Sequence, residues 1–190
     1  MTDYPNDTIR SIMERRSIRK YKPKQITDKE LDMIIDCGLN APSGMNTQNW
    51  HFTVIQNADL IDWMNTKIKE NLPKESVSRY KDRNGGREDF SMFYDAPTVV
   101  LISGDAKDSW TESNCGYAVQ NMCLAAQSLG VASIIIGMAR LIFSTSEADA
   151  YAKEFGIPDG YKPFYAVCFG YGDMKPEPPA RIGGRVNYIK

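Results

Sequence analysis

The chain has a single histidine, His51, and its four cysteines (Cys37, Cys115, Cys123 and Cys168) include no C-x-x-C pair. A zinc site needs clustered thiolates and imidazoles, so this spacing speaks against one. The residues around the cysteines are apolar or small, among them Ile34, Ile35, Ala118, Ala166 and Val167. That is the setting of buried free thiols in a reducing compartment. His51 lies between Trp50 and Phe52 with no nucleophile motif around it, so a hydrolytic triad has no support. G-x-S-x-G is absent, as are the phosphate loop G-x-x-x-x-G-K-[ST] and a G-x-G-x-x-G after a strand. No apolar run approaches the ~20 residues of a membrane-spanning helix. Residues 1–10 are polar and lack the apolar segment of a secretion signal, so the expected location is cytoplasmic. The net charge of −1 gives no whole-chain attraction for nucleic acid or a membrane surface. With no side-chain acid, base or nucleophile at a telling spacing, an enzyme of this sequence would leave the chemistry to a cofactor.

What is present suits one globular domain over residues 1–190. Ile9, Ile12 and Met13 share a face in a first helix from Asn6 to Arg16. Thr27 and Glu30 form a capping box ahead of Leu31, Ile34, Ile35 and Leu39, and that helix should stop near Asn40, before Pro42. Trp50–Gln56 reads as a strand and Ala58–Asn71 as a helix. Leu72–Ser91, polar and containing Gly85-Gly86, reads as a mobile surface excursion. Thr98–Ser103 is a short apolar run, expected as a buried strand. Ser109–Leu129 is a long central helix closed by Gly130. Val131–Ile136 and Phe164–Phe169 are strands, with a helix at Ser146–Phe155 between them. Lys175–Pro179 is an extended arm rich in proline, and Arg185–Ile189 is a candidate last strand. The class is α+β: a central, mainly antiparallel sheet flanked by helices.

Two segments carry unusual chemistry. From Arg10 to Lys24 seven cations face a single acid, Glu14. Within that run Arg15, Arg16 and Arg19 surround Ser17, and guanidinium forks of this kind bind phosphate in a way that lysine does not reproduce. The second segment, Pro42-Ser43-Gly44-Met45-Asn46-Thr47-Gln48-Asn49, joins a helix to a strand. A plain turn needs only Pro-Ser-Gly; Asn46 and Gln48 add groups able to read the edge of a planar heterocycle.

RRSIRKYKPKQIT, APSGMNTQNWHFTVI, DAPTVVLIS, NCGYAVQNMCLAAQSLGVASIIIGM and FYAVCFGYGDMKPEPPAR follow one another in this order. Together they resemble the FMN-dependent nitroreductase family over nearly the whole chain. The resemblance implies an NAD(P)H oxidoreductase that reduces small acceptors such as nitroaromatics, quinones or activated alkenes. Turnover would be ping-pong, through flavin N5. It implies a homodimer with FMN at the interface and a C-terminal arm reaching to the partner subunit. Arg15 and Ser17 would meet the phosphate and ribityl end, with Arg16 alongside, and Arg19 the flavin N1–O2 edge. Pro42, Ser43, Gly44, Asn46 and Gln48 would come from the other subunit. Ile136 and Gly137 would lie near N5, and Arg181, with Arg185 as second choice, would grip the phosphate. The chain departs from the pattern at Ile136, where some relatives carry an acid, and at Asn49, where proline is more usual. Two alternatives stay open: a flavin-binding redox module without turnover, and a specialised member that dehalogenates or destroys flavin.

Overall fold

Four strands and six α-helices are described within residues 4–190 of the computed structural model; Met1, Thr2 and Asp3, the start of the polar N-terminal stretch, lie outside the described residues. The elements run α1 (Asp7–Glu14), α2 (Asp28–Leu39), β1 (Trp50–Ile55), α3 (Ala58–Glu70), α4 (Lys74–Arg83), β2 (Thr98–Asp105), α5 (Thr111–Ser128), β3 (Ala132–Ile136), α6 (Ala148–Glu154) and β4 (Tyr161–Gly170). Short 3-10 turns at Gly44–Asn46 and Gly137–Phe143 follow α2 and β3.

The sheet is antiparallel throughout, in the order β1-β2-β4-β3. β2 is central and buried from Thr98 to Gly104, as its continuous apolar run requires. Successive side chains of a strand point to opposite faces, and two cores result. Val99 and Leu101 join Ile134, Ile136, Ala166 and Cys168 under α3, α4 and α6. Val100 and Ile102 join Val167 and Phe169 under α2 and α5. Covering both faces explains why β2 does not alternate polar with apolar.

Local chemistry sets the ends of the helices. The Thr27 hydroxyl accepts from the Glu30 backbone N–H while the Glu30 carboxylate accepts from the Thr27 N–H, and this capping box starts α2 as expected. Gly38 of α2 allows close contact with α5: a Cβ there would lie 2.4 Å from Met122 Cε. α5 ends at Gly130, whose φ of +74° carries the chain into β3.

Three expectations change. α1 is shorter than expected, and its apolar residues Ile9, Ile12 and Met13 are exposed rather than packed. Leu72–Ser91 is not a loop excursion, because it contains helix α4, whose Val77 and Tyr80 pack against the core beneath α3. Arg185–Ile189 forms no strand. Beyond Gly172 the chain has no helix or strand, and Tyr188 and Ile189 are 83% and 100% exposed. A strand needs a neighbouring strand to bond to, and none among the described residues pairs with this arm.

Candidate cofactor site

The arginine segment is positioned by the edge of the sheet. After α1 the backbone extends along β3, and the Ile18 N–H donates to Ser133 O at 3.1 Å. Further on, Lys22 N–H donates to Tyr171 O at 2.8 Å, and Asp173 N–H donates to Lys20 O at 2.9 Å. This pairing fixes the phase of the extended chain, so alternate side chains go to opposite sides. Ser17 and Arg19 turn toward the end of β3, whereas Arg16 and Ile18 turn into a separate groove of about 440 Å³ lined also by Gln127, Gly130 and Lys175. Arg16, expected alongside Arg15 and Ser17, thus lines a different groove from Ser17 and Arg19. Its Nη1 donates instead to Met13 O and Arg15 O, both at 2.8 Å.

The remaining two arginines are incompletely satisfied. Nη1 of Arg15 and Nε of Arg19 are buried and have no hydrogen-bond partner. An unpaired buried donor is costly, more so when charged. Two such donors, two residues before and after Ser17 in the same extended segment, suit an anionic, oxygen-rich group. The phenol of Tyr21, next on the same side, is also unpartnered, and burial pushes its pKa far up, so it remains neutral.

Ser17 and Arg19 line a small cavity, about 110 Å³, together with Tyr80, Arg83, Met92, Tyr94, Ile136 and Gly137. No carboxylate lines it. Gly137 leaves space here, because a Cβ would meet nothing within 4 Å. Tyr94 places its ring centroid 6.0 Å from the Arg19 guanidinium carbon. Tyr94 and Asp95 both have φ of +57°, a left-handed conformation that costs ~1–2 kcal/mol per non-glycine residue. Arg87 holds this strained turn by bonding both Asp95 and Asp89, and the two carboxylates push its already high pKa further up.

The polar loop is built differently. Asn114, 1% exposed in the first turn of α5, accepts from the Gly44 N–H at 3.1 Å and donates to Asn49 Oδ1 at 3.1 Å and Thr47 Oγ1 at 3.4 Å. Asn49 donates in turn to Asp108 Oδ2 and Thr111 Oγ1, both at 2.6 Å. Proline at position 49 could make none of these side-chain bonds. Within the loop Gln48 N–H donates to Ser43 Oγ, and the Gln48 side-chain amide donates to Asn46 Oδ1, each at 3.1 Å. Met45, Asn46 and Gln48 all have positive φ, at 54°, 57° and 45°. Ser43 is half-buried, and Pro42, Gly44, Asn46 and Gln48 are exposed.

The two patches are attached to opposite ends of α5, since Asn114 anchors the loop while the arginine segment runs beside Ser133, just after the helix ends. The 18 residues of α5 span ~27 Å. One chain thus presents two separate half-sites. A cavity of about 110 Å³ is also well below the ~300 Å³ at which pockets begin to enclose a small-molecule ligand. Arg181 and Arg185 are exposed on the arm, line neither the small cavity nor the larger groove, and make no hydrogen bond or ion pair among the described residues. The root of the arm, however, is tied to the arginine segment. Lys20 and Asp173 pair at 2.7 Å, and the Arg19 N–H contacts Met174 Sδ at 3.2 Å.

Asn49, Asn114, Tyr80, Arg83 and Tyr94 are absent from the residues expected from sequence. Asn114 had a slight signal, an amide next to Cys115 in the first turn of α5. Tyr80 and Arg83 had none once their segment was read as loop. Among the described residues no helix is long and apolar enough to cross a membrane, and no cluster of His, Cys, Asp or Glu could hold a metal. All four cysteines are free and three are buried; burial pushes the Cys115 thiol up to about 12, which leaves it unreactive near neutral pH.

The profile of the Nitroreductase family matches residues 12–171. The chain belongs to the nitroreductase family. A nitroreductase of Desulfitobacterium hafniense, solved with bound FMN, superposes with a TM-score of 0.91 at 30% identity, covering 98% of this chain and all of that one. An FMN-bound nitroreductase of Bacteroides fragilis gives a TM-score of 0.85 at 33% identity over 97% of this chain and all of that one. The NADPH-flavin oxidoreductase of Vibrio harveyi is 25% identical, with 95% of this chain and 72% of that protein covered. The nitroreductase profile takes in the arginine segment, the polar loop, α4 and Gly137, and stops before the arm that carries Arg181 and Arg185.

Proposed function

We propose that the protein is an FMN-dependent NAD(P)H oxidoreductase that acts as a homodimer on small planar acceptors such as nitroaromatics, quinones or activated alkenes. The observation that carries this reading is the pair of buried, unpartnered guanidinium nitrogens, Arg15 Nη1 and Arg19 Nε, on either side of Ser17. They fit a phosphorylated flavin: Arg15 and Ser17 would hold its phosphate and ribityl end, and Arg19 its pyrimidine edge. When bound, the flavin supplies the redox chemistry, taking hydride from a nicotinamide and passing it to the acceptor. The chain's own contribution is placement and charge. Arg19 would favour negative charge at the pyrimidine edge, and the absence of a side chain at Gly137 would leave the ring open to a stacked reactant. Ile136 is aliphatic, so no acid there would repel an anionic acceptor.

The two half-sites support a homodimer. The loop from Pro42 to Gln48 is pre-shaped and exposed, and a second copy would carry its own loop to the arginines of the first. Arg181 and Arg185 would arrive with the arm. Exposed apolar side chains on α1, on α5 at Tyr117, and on the arm at Ile182, Val186 and Tyr188 give such an association its surface. Among the described residues the outer edge of β1 has no strand partner, which suits an added one. FMN in the D. hafniense and B. fragilis structures, and the flavin and NADPH named for the V. harveyi relative, support the same choice of cofactor and reductant.

The test is spectroscopic. Purified protein, or protein given FMN, should show the yellow flavin band, and NADH or NADPH should bleach it without oxygen; sedimentation should give twice the monomer mass. Protein that stays colourless and fails to quench added FMN fluorescence overturns the proposal. A yellow protein that neither nicotinamide bleaches is a flavin-binding module.

A further inference from the structure

We propose that Arg79 and Arg83 of α4 form a docking point for an anionic group on one of the planar reactants, so that the site selects reactants bearing a carboxylate or phosphate. The proposal rests on the flavin reading above and names the reactants that reading leaves open. Arg83 lines the same small cavity as Ser17, Arg19 and Gly137, beside Tyr80. The guanidinium carbons of Arg79 and Arg83 lie 5.5 Å and 5.8 Å from the centroid of the Tyr80 ring. The Tyr80 ring therefore orients both planar cations, Arg83 at the cavity and Arg79 one helical turn before it.

Neither arginine makes an ion pair among the described residues, although Glu75 and Asp82 lie on the same helix. Arg79 and Arg83 are four residues apart on one helix, a like-charge spacing that destabilises it. Glu75 is four residues before Arg79, the favourable spacing for an ion pair, yet no pair forms. The neighbouring cations are neutralised: Lys81 pairs with Glu88 at 2.5 Å, and Arg87 with Asp89 at 3.1 Å. With Arg15 and Arg19 assigned to the flavin, the cavity keeps a surplus positive edge and no acid. The anion has two sources with one chemistry, a carboxylate on the acceptor or the extra phosphate that distinguishes NADPH from NADH.

Steady-state kinetics on the holoenzyme separate them. One arm compares para-nitrobenzoate with para-nitrobenzamide at fixed NADH; the other compares NADPH with NADH at fixed para-nitrobenzamide. In the wild type the anionic member of one pair should have the higher kcat/KM. That ratio should fall about five- to tenfold in Arg83→Gln and further in the Arg79→Gln/Arg83→Gln double variant. Arg83→Lys should restore part of it, and rising salt should erode it in the wild type. The pair that responds identifies the source. Unchanged ratios in both arms overturn the proposal, and so does an equal fall for both members of each pair, which would mean a structural role. The flavin band and its bleaching are read first. A wild type that fails there sinks the flavin reading, whereas a bleachable wild type with unmoved ratios sinks only the anion site.

Discussion

The segments Arg15–Lys20 and Pro42–Asn49 each join a helix to the sheet, yet they treat their polar groups in opposite ways. The arginine segment keeps two guanidinium nitrogens buried and unpaired. The loop turns its amides on one another and on Asn114, and spends backbone strain at Met45, Asn46 and Gln48 to do so. One segment is poised to receive an anion; the other is already shaped and needs only to be presented. The difference predicts that damage to the loop should appear in stability without any ligand, and damage to the arginines only when a ligand is added.

The largest effect is expected at Asn114. Replacing it with alanine leaves the Gly44 N–H and the buried Asn49 Oδ1 without their partner. Thr111 and Asn114, 0% and 1% exposed, leave little room for water to compensate. A loss of about 3 kcal/mol is expected, read as a lower denaturation midpoint in flavin-free protein. A variant as stable as the wild type would show that the loop does not depend on this amide. Gly104 sharpens the point, since a Cβ there would meet Thr111 Cγ2 at 2.3 Å and Asn49 O at 2.8 Å; strand, loop and helix meet too closely for slack.

Arg15→Leu should behave in the reverse way. Removing an unsatisfied buried donor should leave the stability of the flavin-free protein unchanged or raise it by about 1 kcal/mol. FMN affinity should weaken about 30-fold, as for one lost charge-assisted contact of ~2 kcal/mol. Fluorescence titration with FMN and thermal melts of the same samples check both halves. A variant that loses stability but keeps its affinity would reverse the contrast between the two segments.

The same contrast explains what could be read before folding. The apolar run of β2, the capping box at Thr27 and Glu30, and the glycine stop after α5 are local signals, and the structure follows them. α4 was hidden because only Val77 and Tyr80 anchor it, too few for a clear periodicity in a polar stretch. The direction of Arg16 depends on pairing with Ser133, 117 positions away by numbering (133 − 16), so a run of neighbouring arginines could not reveal which of them share a side. Asn46 and Gln48 were legible as hydrogen-bonding groups, but not as partners of each other. The last strand expected at Arg185–Ile189 failed for a related reason: its residues have strand character, but strand formation is a property of two segments.

The smallest predicted effect concerns the join between the arginine segment and the arm. Lys20 holds the Asp173 carboxyl below its usual range, mainly through their hydrogen bond and then through its charge. A carboxyl whose folded pKa is lowered contributes stability above its unfolded value, and the contribution disappears as pH falls through the folded one. The wild type should therefore exceed Asp173→Asn at neutral pH by a small margin, reduced by solvent screening of an exposed pair. The two midpoints should converge as pH drops below the ordinary carboxyl value of 3.8. High salt should narrow the gap at neutral pH. Amide exchange at Met174 and Lys175 gives a local reading: these amides should exchange faster in Asp173→Asn than in the wild type at neutral pH and equally fast in acid. Equal exchange in the two proteins at neutral pH would assign the tether to the backbone bond between Asp173 and Lys20, which the substitution keeps, and not to the ion pair.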